Sequence, residues 1–477
     1  VFELDGAIRS LPGSTEARRH LVETSLNYLE GLSADMRGDV DLARELSDAY
    51  WRVAHVQGMP TDLNLGDFTA AEQSLKKADE FVEIVLASRP GDDRALFRSG
   101  NIAHDRMILA ESERRRPDAL IHARKAIARL DAFMSLRTAS ESDRNTVSSL
   151  YGNIGLAFVN MHLYEDAVRE VQRQLEIARS VPSAQYRVGS GLSVLANALR
   201  FQGDLEGALK AIQDARAIIE KGTYSSATTR MIEMYGVLLR EGLIEGEDGG
   251  VSLNRPADAI ETLQKAFDIT EATARQDVHD AASRGRVGTA GRELGNILRH
   301  SDPQRALATY DVALNRLAEI PNNLKARRDR ALTLAESSYA LRHLHRLPEA
   351  RQRITEALTI LTETKDLPAD RIGLDSPANA VLRAQADDLD EQGSPLKALE
   401  LSKQLLDKVM RAGPSPETDL RDAAALSLLY RDLARFYVRA GDTAGADSIK
   451  ARRLDLWREW EHKLPGNTFV LLQLGPS

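Results

Sequence analysis

The sequence has no cysteine among its 477 residues. This absence excludes disulfide frameworks, thiolate zinc sites and cysteine nucleophiles. It also fits a reducing compartment, so we expect a cytoplasmic location. Aromatic residues make up only 5% of the chain, which is typical of proteins whose helices pack closely on small side chains.

A net positive charge and long apolar runs are also lacking. The formal net charge is −8, so the chain has no electrostatic surface for nucleic acid or anionic lipid. Apolar runs such as residues 84–87 and 469–472 are far shorter than the roughly 20 residues that span a bilayer. No signal peptide is apparent, and the first residue is Val1 rather than Met. We therefore expect no nucleic-acid or membrane partner, and a chain that is part of a longer protein.

The chain does contain a recurrent alanine flanked by larger apolar residues, with a period of about 47 residues. Apolar or small residues follow it at offsets of 4 and 7, which lie on one face of a helix. The anchor alanines are Ala71, Ala119, Ala167, Ala208, Ala259, Ala306, Ala350, Ala398 and Ala446. A helix pair cannot bury its own apolar face, so successive pairs should stack into a solenoid. Such a fold offers a long surface rather than an enclosed chamber.

Turn residues separate the expected helices. Gly203-Asp204 and Gly441-Asp442 lie where glycine would end one helix and aspartate would cap the next. Residues 245–250, Glu-Gly-Glu-Asp-Gly-Gly, predict a mobile acidic loop in one of the longer connections.

The residue order over 151–215 resembles the tetratricopeptide repeat. It begins with an aromatic residue, Tyr151, and continues through Gly155, Phe158, Gly203 and Ala208 at the expected places. The resemblance implies an all-α fold, a right-handed superhelical α-solenoid of about nine tetratricopeptide-like helix pairs with long helices. We predict an N-terminal helical cap or linker over residues 1–38, the solenoid over 39–455, and a C-terminal capping helix and tail over 456–477.

A second resemblance covers nearly the whole chain. Residues 2–39, with Leu-Pro-Gly-Ser-Thr at 11–15, look like the segment that follows the catalytic domain of large bacterial serine/threonine protein kinases. Residues 457–467 look like the end of such proteins. The resemblance implies a repeat region whose kinase domain lies upstream of this chain.

The sequence contains no recognisable catalytic or metal-binding constellation. The Tyr-Arg-Asp-Leu segment at 430–433 resembles the core of a kinase catalytic loop, but Tyr437 stands where that loop requires asparagine. We interpret the segment as part of the first helix of the ninth pair. His343 and His345 are two positions apart, which does not suit a ligand pair on a helix, so we expect solvent-facing turn residues. We expect no enzymatic activity, cofactor or metal.

In tetratricopeptide proteins the first helix of each pair lines the concave face, and the resemblance transfers a candidate binding face to this chain. Its residues are Trp51, His55, Asn153, Leu156, Asn197, Arg200, Arg292, Asn296, Arg299, Arg431, Arg435 and Arg439. The last three form a basic stripe at i, i+4 and i+8, which suits carboxylates because guanidinium groups donate two parallel hydrogen bonds. Two alternatives stay open: the arginines are surface residues paired with acids, and Trp51 belongs to the core.

These patterns favour a non-catalytic scaffold that binds a protein or peptide, as the regulatory or recruitment region of a bacterial serine/threonine kinase. One alternative is a small-molecule-responsive sensor whose solenoid closes on its ligand. The other is a structural dimerisation module. The pattern leaves the partner and the oligomeric state open.

Overall fold

The computed structural model describes residues 14–35, 38–61, 64–182, 185–224, 226–277 and 279–475. Within these residues the chain forms twenty helices and no strand. The helices are α1 (Thr15–Asp35), α2 (Val40–Gly58), α3 (Phe68–Ser88), α4 (Asp93–Ser112), α5 (Arg116–Ser135), α6 (Glu141–Asn160), α7 (Tyr164–Ser180), α8 (Gln185–Phe201), α9 (Leu205–Lys221), α10 (Ala227–Gly246), α11 (Pro256–Gln276), α12 (Ala281–Leu298), α13 (Pro303–Ala318), α14 (Leu324–His343), α15 (Leu347–Glu363), α16 (Pro377–Glu391), α17 (Pro395–Ala412), α18 (Leu420–Arg439), α19 (Thr443–Lys463) and α20 (Thr468–Leu474). None of these described helices is both long and apolar enough to cross a membrane.

The helices from α2 to α19 form nine consecutive antiparallel pairs, which confirms the predicted all-α solenoid. Every anchor alanine lies on the second helix of its pair and is at most 1% exposed. The first helix approaches closely at small residues. A Cβ atom on Gly155 of α6 would lie 2.7 Å from Cγ2 of Val171 on α7, so a side chain there would force the pair apart. The alanine pattern therefore marks the contact between paired helices.

The predicted turns between paired helices are confirmed at two positions. Gly203 and Gly441 adopt φ angles of +94° and +81°, a left-handed conformation that glycine adopts readily. Asp204 and Asp442 follow as N-caps, and each accepts a hydrogen bond from a backbone N–H in the first turn of the next helix.

Further helices extend the solenoid at both ends, a helix of 21 residues at the start and one of 7 residues at the end. Helix α1 packs on α2, and α20 packs on α19. Trp457 is fully buried, stands edge-on to the ring of Phe469, and donates from Nε1 to Oγ of Ser427 at 2.8 Å. Helix α19 runs through positions 455 and 456. The division into cap, solenoid and tail stays a prediction, and the kinase-like segment at 2–13 lies outside the described residues.

The solenoid coils until pairs that are distant in sequence touch. The turn inside each of the first four pairs makes a polar contact with a segment between 217 and 264 positions later in the sequence. That segment lies near the start of a later first helix or, for the fourth pair, near the start of α20. These contacts are Asn64–Ala281 at 3.0 Å, Arg114–Asp375 at 2.7 Å, His162–Asp419 at 2.5 Å and Gly203–Asn467 at 2.8 Å. Successive turns of the superhelix therefore rest on one another.

This closure differs from the long open surface that the repeat pattern predicts. The repeat pattern describes only neighbouring helices, whereas contacts such as Asn64–Ala281 and His162–Asp419 join pairs that are far apart in sequence. The inner face of the solenoid consequently becomes the wall of a central cavity.

Candidate functional site

The central cavity has a volume of about 620 Å³, and its wall is built mainly from the first helices of the second to seventh pairs. Helices α4, α6, α8, α10, α12 and α14 each contribute side chains to it. Apolar groups such as Leu156 and Leu239 alternate there with the amides of Asn160, Asn197 and Asn323. The cavity thus combines apolar surface with groups that both donate and accept hydrogen bonds.

Positive charge predominates on the cavity wall although the chain as a whole is acidic. Nine basic residues line the cavity, against five acidic residues. The basic residues are Arg114, Arg116, Arg200, Arg240, Arg286, Arg292, Lys325, Arg328 and Arg421; the acidic residues are Glu111, Glu247, Glu293, Asp329 and Asp375. A concave surface with this excess concentrates a positive potential inside the fold.

Six of the nine cations are paired with carboxylates. Arg200, which is 1% exposed, pairs with Glu247 and also donates from Nε to the carbonyl of Val251 at 2.5 Å. The remaining pairs are Arg292–Glu293 at 2.6 Å, Lys325–Asp329 at 2.5 Å, Arg116–Asp375 at 2.8 Å, Arg114–Asp375 at 3.4 Å and Arg328–Asp366 at 2.8 Å. These cations are neutralised within the protein.

Arg240, Arg286 and Arg421 differ, because no carboxylate of the described chain lies within ion-pair distance of them. Arg240 donates only to neutral groups, Oγ of Ser193 at 3.0 Å and the carbonyl of Gly236 at 2.9 Å. Burial lowers the pKa of Arg240 below its ordinary value, although neighbouring acidic groups oppose that effect. The guanidinium groups therefore remain available to a ligand.

Two neutral polar groups share the wall with these arginines. Burial raises the pKa of Tyr235 to about 12, while the charges of Arg286 and Arg240 work against this rise, so the phenol lies within electrostatic range of both. Asn197 is on the neighbouring helix α8, and its Oδ1 is buried without a hydrogen-bond partner among the described residues. Amide orientation is assigned from hydrogen bonding, so either atom of this amide can face a ligand.

A second cavity of about 600 Å³, the C-terminal cavity, lies between the sixth and ninth pairs. Several of its charges are paired across the wall. Arg383 contacts Asp432 at 2.7 Å, and Tyr339 donates to Asp387 at 2.8 Å. Arg435 also pairs with Asp387. This filled network stabilises neighbouring pairs and leaves fewer groups for a ligand than the central cavity does.

Many polar contacts join a first helix, or the residues just after it, to the corresponding part of a neighbouring pair, so the two partners are separated by about one repeat. Arg200–Glu247, Arg299–Asp248, Arg435–Asp387, Arg439–Asp390 and Asn153–His104 are 47, 51, 48, 49 and 49 positions apart. A search for complementary groups one period apart would have found these partners in the sequence. The predicted acidic loop at 245–250 begins inside α10, which ends at Gly246, and Glu247 and Asp248 pair with Arg200 and Arg299. Its mobility stays a prediction.

The structure divides the twelve sequence-predicted binding residues among several environments. Leu156, Asn197, Arg200 and Arg292 line the central cavity. Asn296, Arg299, Arg431 and Arg435 line the C-terminal cavity. Trp51, His55 and Asn153 join a buried network, and Arg439 pairs with Asp390. Their roles in binding stay predictions. Sequence reasoning missed Arg240 and Arg286 because nothing in the pattern shows which arginines lack a partner.

The buried network centres on Asp105, which is 3% exposed. Trp51 Nε1 donates to Oδ2 of Asp105 at 2.7 Å, and His55 and His104 each contact a carboxylate oxygen at 2.8 Å. Burial alone would raise the pKa of Asp105, but the charge of His55 and hydrogen bonds from both imidazoles outweigh it and hold that pKa well below the ordinary value. The network accounts for Trp51 and His55 as parts of the interior.

The one cluster of potential metal ligands among the described residues is His162, Asp419 and Asp422, whose ligand atoms lie within 4.8 Å of one another. Its members already have partners. His162 contacts Asp419, and Oδ2 of Asp422 accepts from the backbone N–H of Ser415 at 2.9 Å. Nη1 of Arg421 lies 3.4 Å from Nε2 of His162, and this positive charge opposes a metal ion. The exposed His343 and His345 match the expected turn residues.

No family model matches the sequence, and no curated protein matches it. Solved structures show weak similarity. The apo form of RapI is 11% identical, with a TM-score of 0.49 over 84% of this chain and 98% of that chain. A Rap protein complexed with competence and sporulation factor has 12% identity and a TM-score of 0.43 over 93% and 99%. NprR in complex with its cognate peptide NprX has 11% identity and a TM-score of 0.42 over 78% and 96%. The solenoid fold is defined by the chain's own nine helix pairs.

Proposed function

We propose that this chain is a non-catalytic recognition module that binds a short peptide segment of a partner protein in its central cavity. The observation that carries the proposal is the cavity wall itself, in which six successive first helices present apolar and amide side chains to one space of about 620 Å³. Ligand pockets commonly have volumes of about 300–1,000 Å³. The cavity is therefore of a size to take a ligand.

The chemistry of the wall supports a peptide as the ligand. An extended peptide exposes alternating N–H and C=O groups, and an asparagine amide can satisfy one of each. Asn197, whose Oδ1 has no partner among the described residues, lines the cavity together with Leu156 and Phe201. The amide suits the peptide backbone, and the apolar groups suit the peptide's side chains.

The closure of the superhelix favours a second candidate, a sensor for a small molecule. Contacts such as Asn64–Ala281 and Gly203–Asn467 join successive turns of the superhelix. A compact ligand would enter such a space more readily than a folded partner. In both cases the solenoid acts as a receptor.

The resemblance of the chain to repeat regions of bacterial serine/threonine kinases supports one further proposal. The solenoid would then regulate a kinase domain encoded upstream or recruit that domain's partner proteins. The full open reading frame tests this proposal directly, because a kinase domain should precede the segment that begins at Val1. An upstream region without one would refute it.

The peptide proposal is tested by selecting binders from a displayed library of random hexapeptides and measuring their affinity by fluorescence anisotropy. Asn197→Ala should weaken binding of the selected peptides at least tenfold. Asn315→Ala is the matched control, since Asn315 is exposed on the second helix α13, and it should leave affinity unchanged. Equal affinities for both variants, or a metabolite that raises the melting temperature when no peptide can be selected, would contradict the proposal.

A further inference from the structure

Arg240 and Arg286 lie on α10 and α12, the first helices of consecutive pairs, and both face the central cavity. Six cations of this wall have carboxylate partners, whereas Arg240 and Arg286, like Arg421, have none within ion-pair distance in the described part of the chain. Arg286 reaches the carbonyl of Pro60 at 3.5 Å, and its Nη1 is buried without a partner among the described residues. An uncompensated charge held away from water is costly to a fold, so the arrangement calls for a compensating anion.

The surrounding groups add donors to the same place. Tyr235 is on α10, within electrostatic range of both guanidinium groups. Asn197 on α8 has a side-chain atom without a partner and lines the same cavity. Arginine guanidinium groups bind carboxylates and phosphates through paired N–H donors, and phenol and amide groups can complete such a shell.

We propose that Arg240 and Arg286, assisted by Tyr235 and Asn197, form a subsite for an oxyanion, the carboxylate or phosphate group of the cavity's ligand. We name it the oxyanion subsite. The inference rests on the proposed function in that the cavity takes a ligand, and it adds the ligand's charge. It applies to an acidic peptide and to a free phosphate alike.

Removing an arginine of the oxyanion subsite should weaken anion binding without lowering the stability of the ligand-free protein. This combination distinguishes a binding role from a structural role. Arg240 is a partly buried charge with no carboxylate of the described chain within ion-pair distance, and it donates only to Ser193 and Gly236, so Arg240→Gln should leave the melting temperature unchanged or raise it. The same substitution should abolish anion binding. A structural arginine would show the reverse, with a lower melting temperature and no change in binding.

The experiment compares melting temperatures of the full chain in sodium phosphate and in sodium chloride of equal ionic strength. It also compares binding of two labelled hexapeptide pools that carry either Asp or Asn at one fixed position. We expect phosphate, the Asp pool or both to act on the wild type. Arg240→Gln and Arg286→Gln should remove the effect, whereas Arg240→Lys should retain part of it. Arg458→Gln, which changes an exposed arginine of α19, should behave as the wild type.

The two arms identify the source of the oxyanion. A phosphate effect alone indicates a phosphate-bearing ligand, and preference for the Asp pool indicates a peptide carboxylate. Absence of both effects in the wild type, or their persistence in Arg240→Gln, would overturn the oxyanion subsite. Asn197-dependent binding of uncharged peptides in that case would leave the proposed function standing.

Discussion

Nδ1 of His162 lies 2.5 Å from Oδ2 of Asp419, although 257 positions of sequence separate the two residues. The contact joins the turn of the third pair to the N-cap of the first helix in the ninth pair. Tyr164 adds a hydroxyl at 3.2 Å from the same carboxylate. This cluster is one of the points at which one turn of the superhelix rests on the next.

We expect His162→Gln and Asp419→Asn to destabilise the closed superhelix through a shared interaction. Asparagine at 419 can still cap α18, so the loss reports mainly on the charge. A double-mutant cycle from urea unfolding should give a coupling free energy of about 1 kcal/mol. Asp166→Asn and Arg169→Gln, an exposed pair within α7, should give almost none. Equal coupling free energies in both cycles would show that the contact between turns contributes no more to stability than an exposed ion pair.

Ala208 tests the close packing of a helix pair. It is fully buried between α8 and α9, so Ala208→Leu should overpack the pair and lower the free energy of unfolding by about 1–3 kcal/mol. Ala208→Ser should lower it by less. The control is Ala451→Leu on the exposed face of α19. Chemical denaturation measures all three, and an unchanged stability for Ala208→Leu would contradict the packing role of the anchor alanines.

Glu245 should make stability depend on pH. The side chain is 8% exposed, and burial raises its pKa from 4.5 to about 7. Between these values the folded chain binds more protons than the unfolded chain, so the contribution of Glu245 to the free energy of unfolding falls as pH rises. Glu245→Gln should be more stable than the wild type at pH 8, by about 2 kcal/mol, and similar to it at pH 4.

Thermal unfolding of the two proteins across this pH range measures the difference. Glu459→Gln, an exposed substitution on α19, should show no such dependence relative to the wild type. A constant difference between Glu245→Gln and the wild type from pH 4 to pH 8 would exclude titration of Glu245 as its cause.

Arg200 should hold the connection after α10. It pairs with Glu247 and donates to the carbonyl of Val251, so Arg200→Met removes two attachments at once. Hydrogen exchange over residues 247–255 should become at least tenfold faster, and stability should fall by about 2 kcal/mol. Arg255→Met, which loses only an exposed ion pair with Glu206, is the control. Unchanged exchange in Arg200→Met would mean that the loop is ordered by other contacts.

The local pattern was sufficient to predict the helix pairs. Ala71 to Ala446 identify the paired contacts because the spacing of apolar residues along one helix determines which face it buries. Trp457, which lies within residues 456–477, is buried, while the role of this region as a cap stays a prediction. The segment 430–433 lies in the first helix of the ninth pair, as interpreted from the sequence. These are properties of neighbouring residues and neighbouring helices.

The closure and the free arginines could not be predicted in this way. The contact of His162 with Asp419 depends on curvature summed over six pairs, and small changes in each pair would misplace it. Arg200 and Arg240 are alike in sequence as arginines of first helices, yet Glu247 pairs only with Arg200. Which cation stays free depends on three-dimensional distances to every nearby carboxylate.

The contacts between superhelical turns hold the solenoid in a closed conformation. Thr15 donates a hydrogen bond to Asp277, and Asn467 donates one to the carbonyl of Gly203. Both ends of the described chain are therefore hydrogen-bonded to its middle. A ligand wider than the central cavity would have to separate the turns of the superhelix and break these hydrogen bonds. Such a ligand is therefore expected to displace the helices near both ends of the described chain.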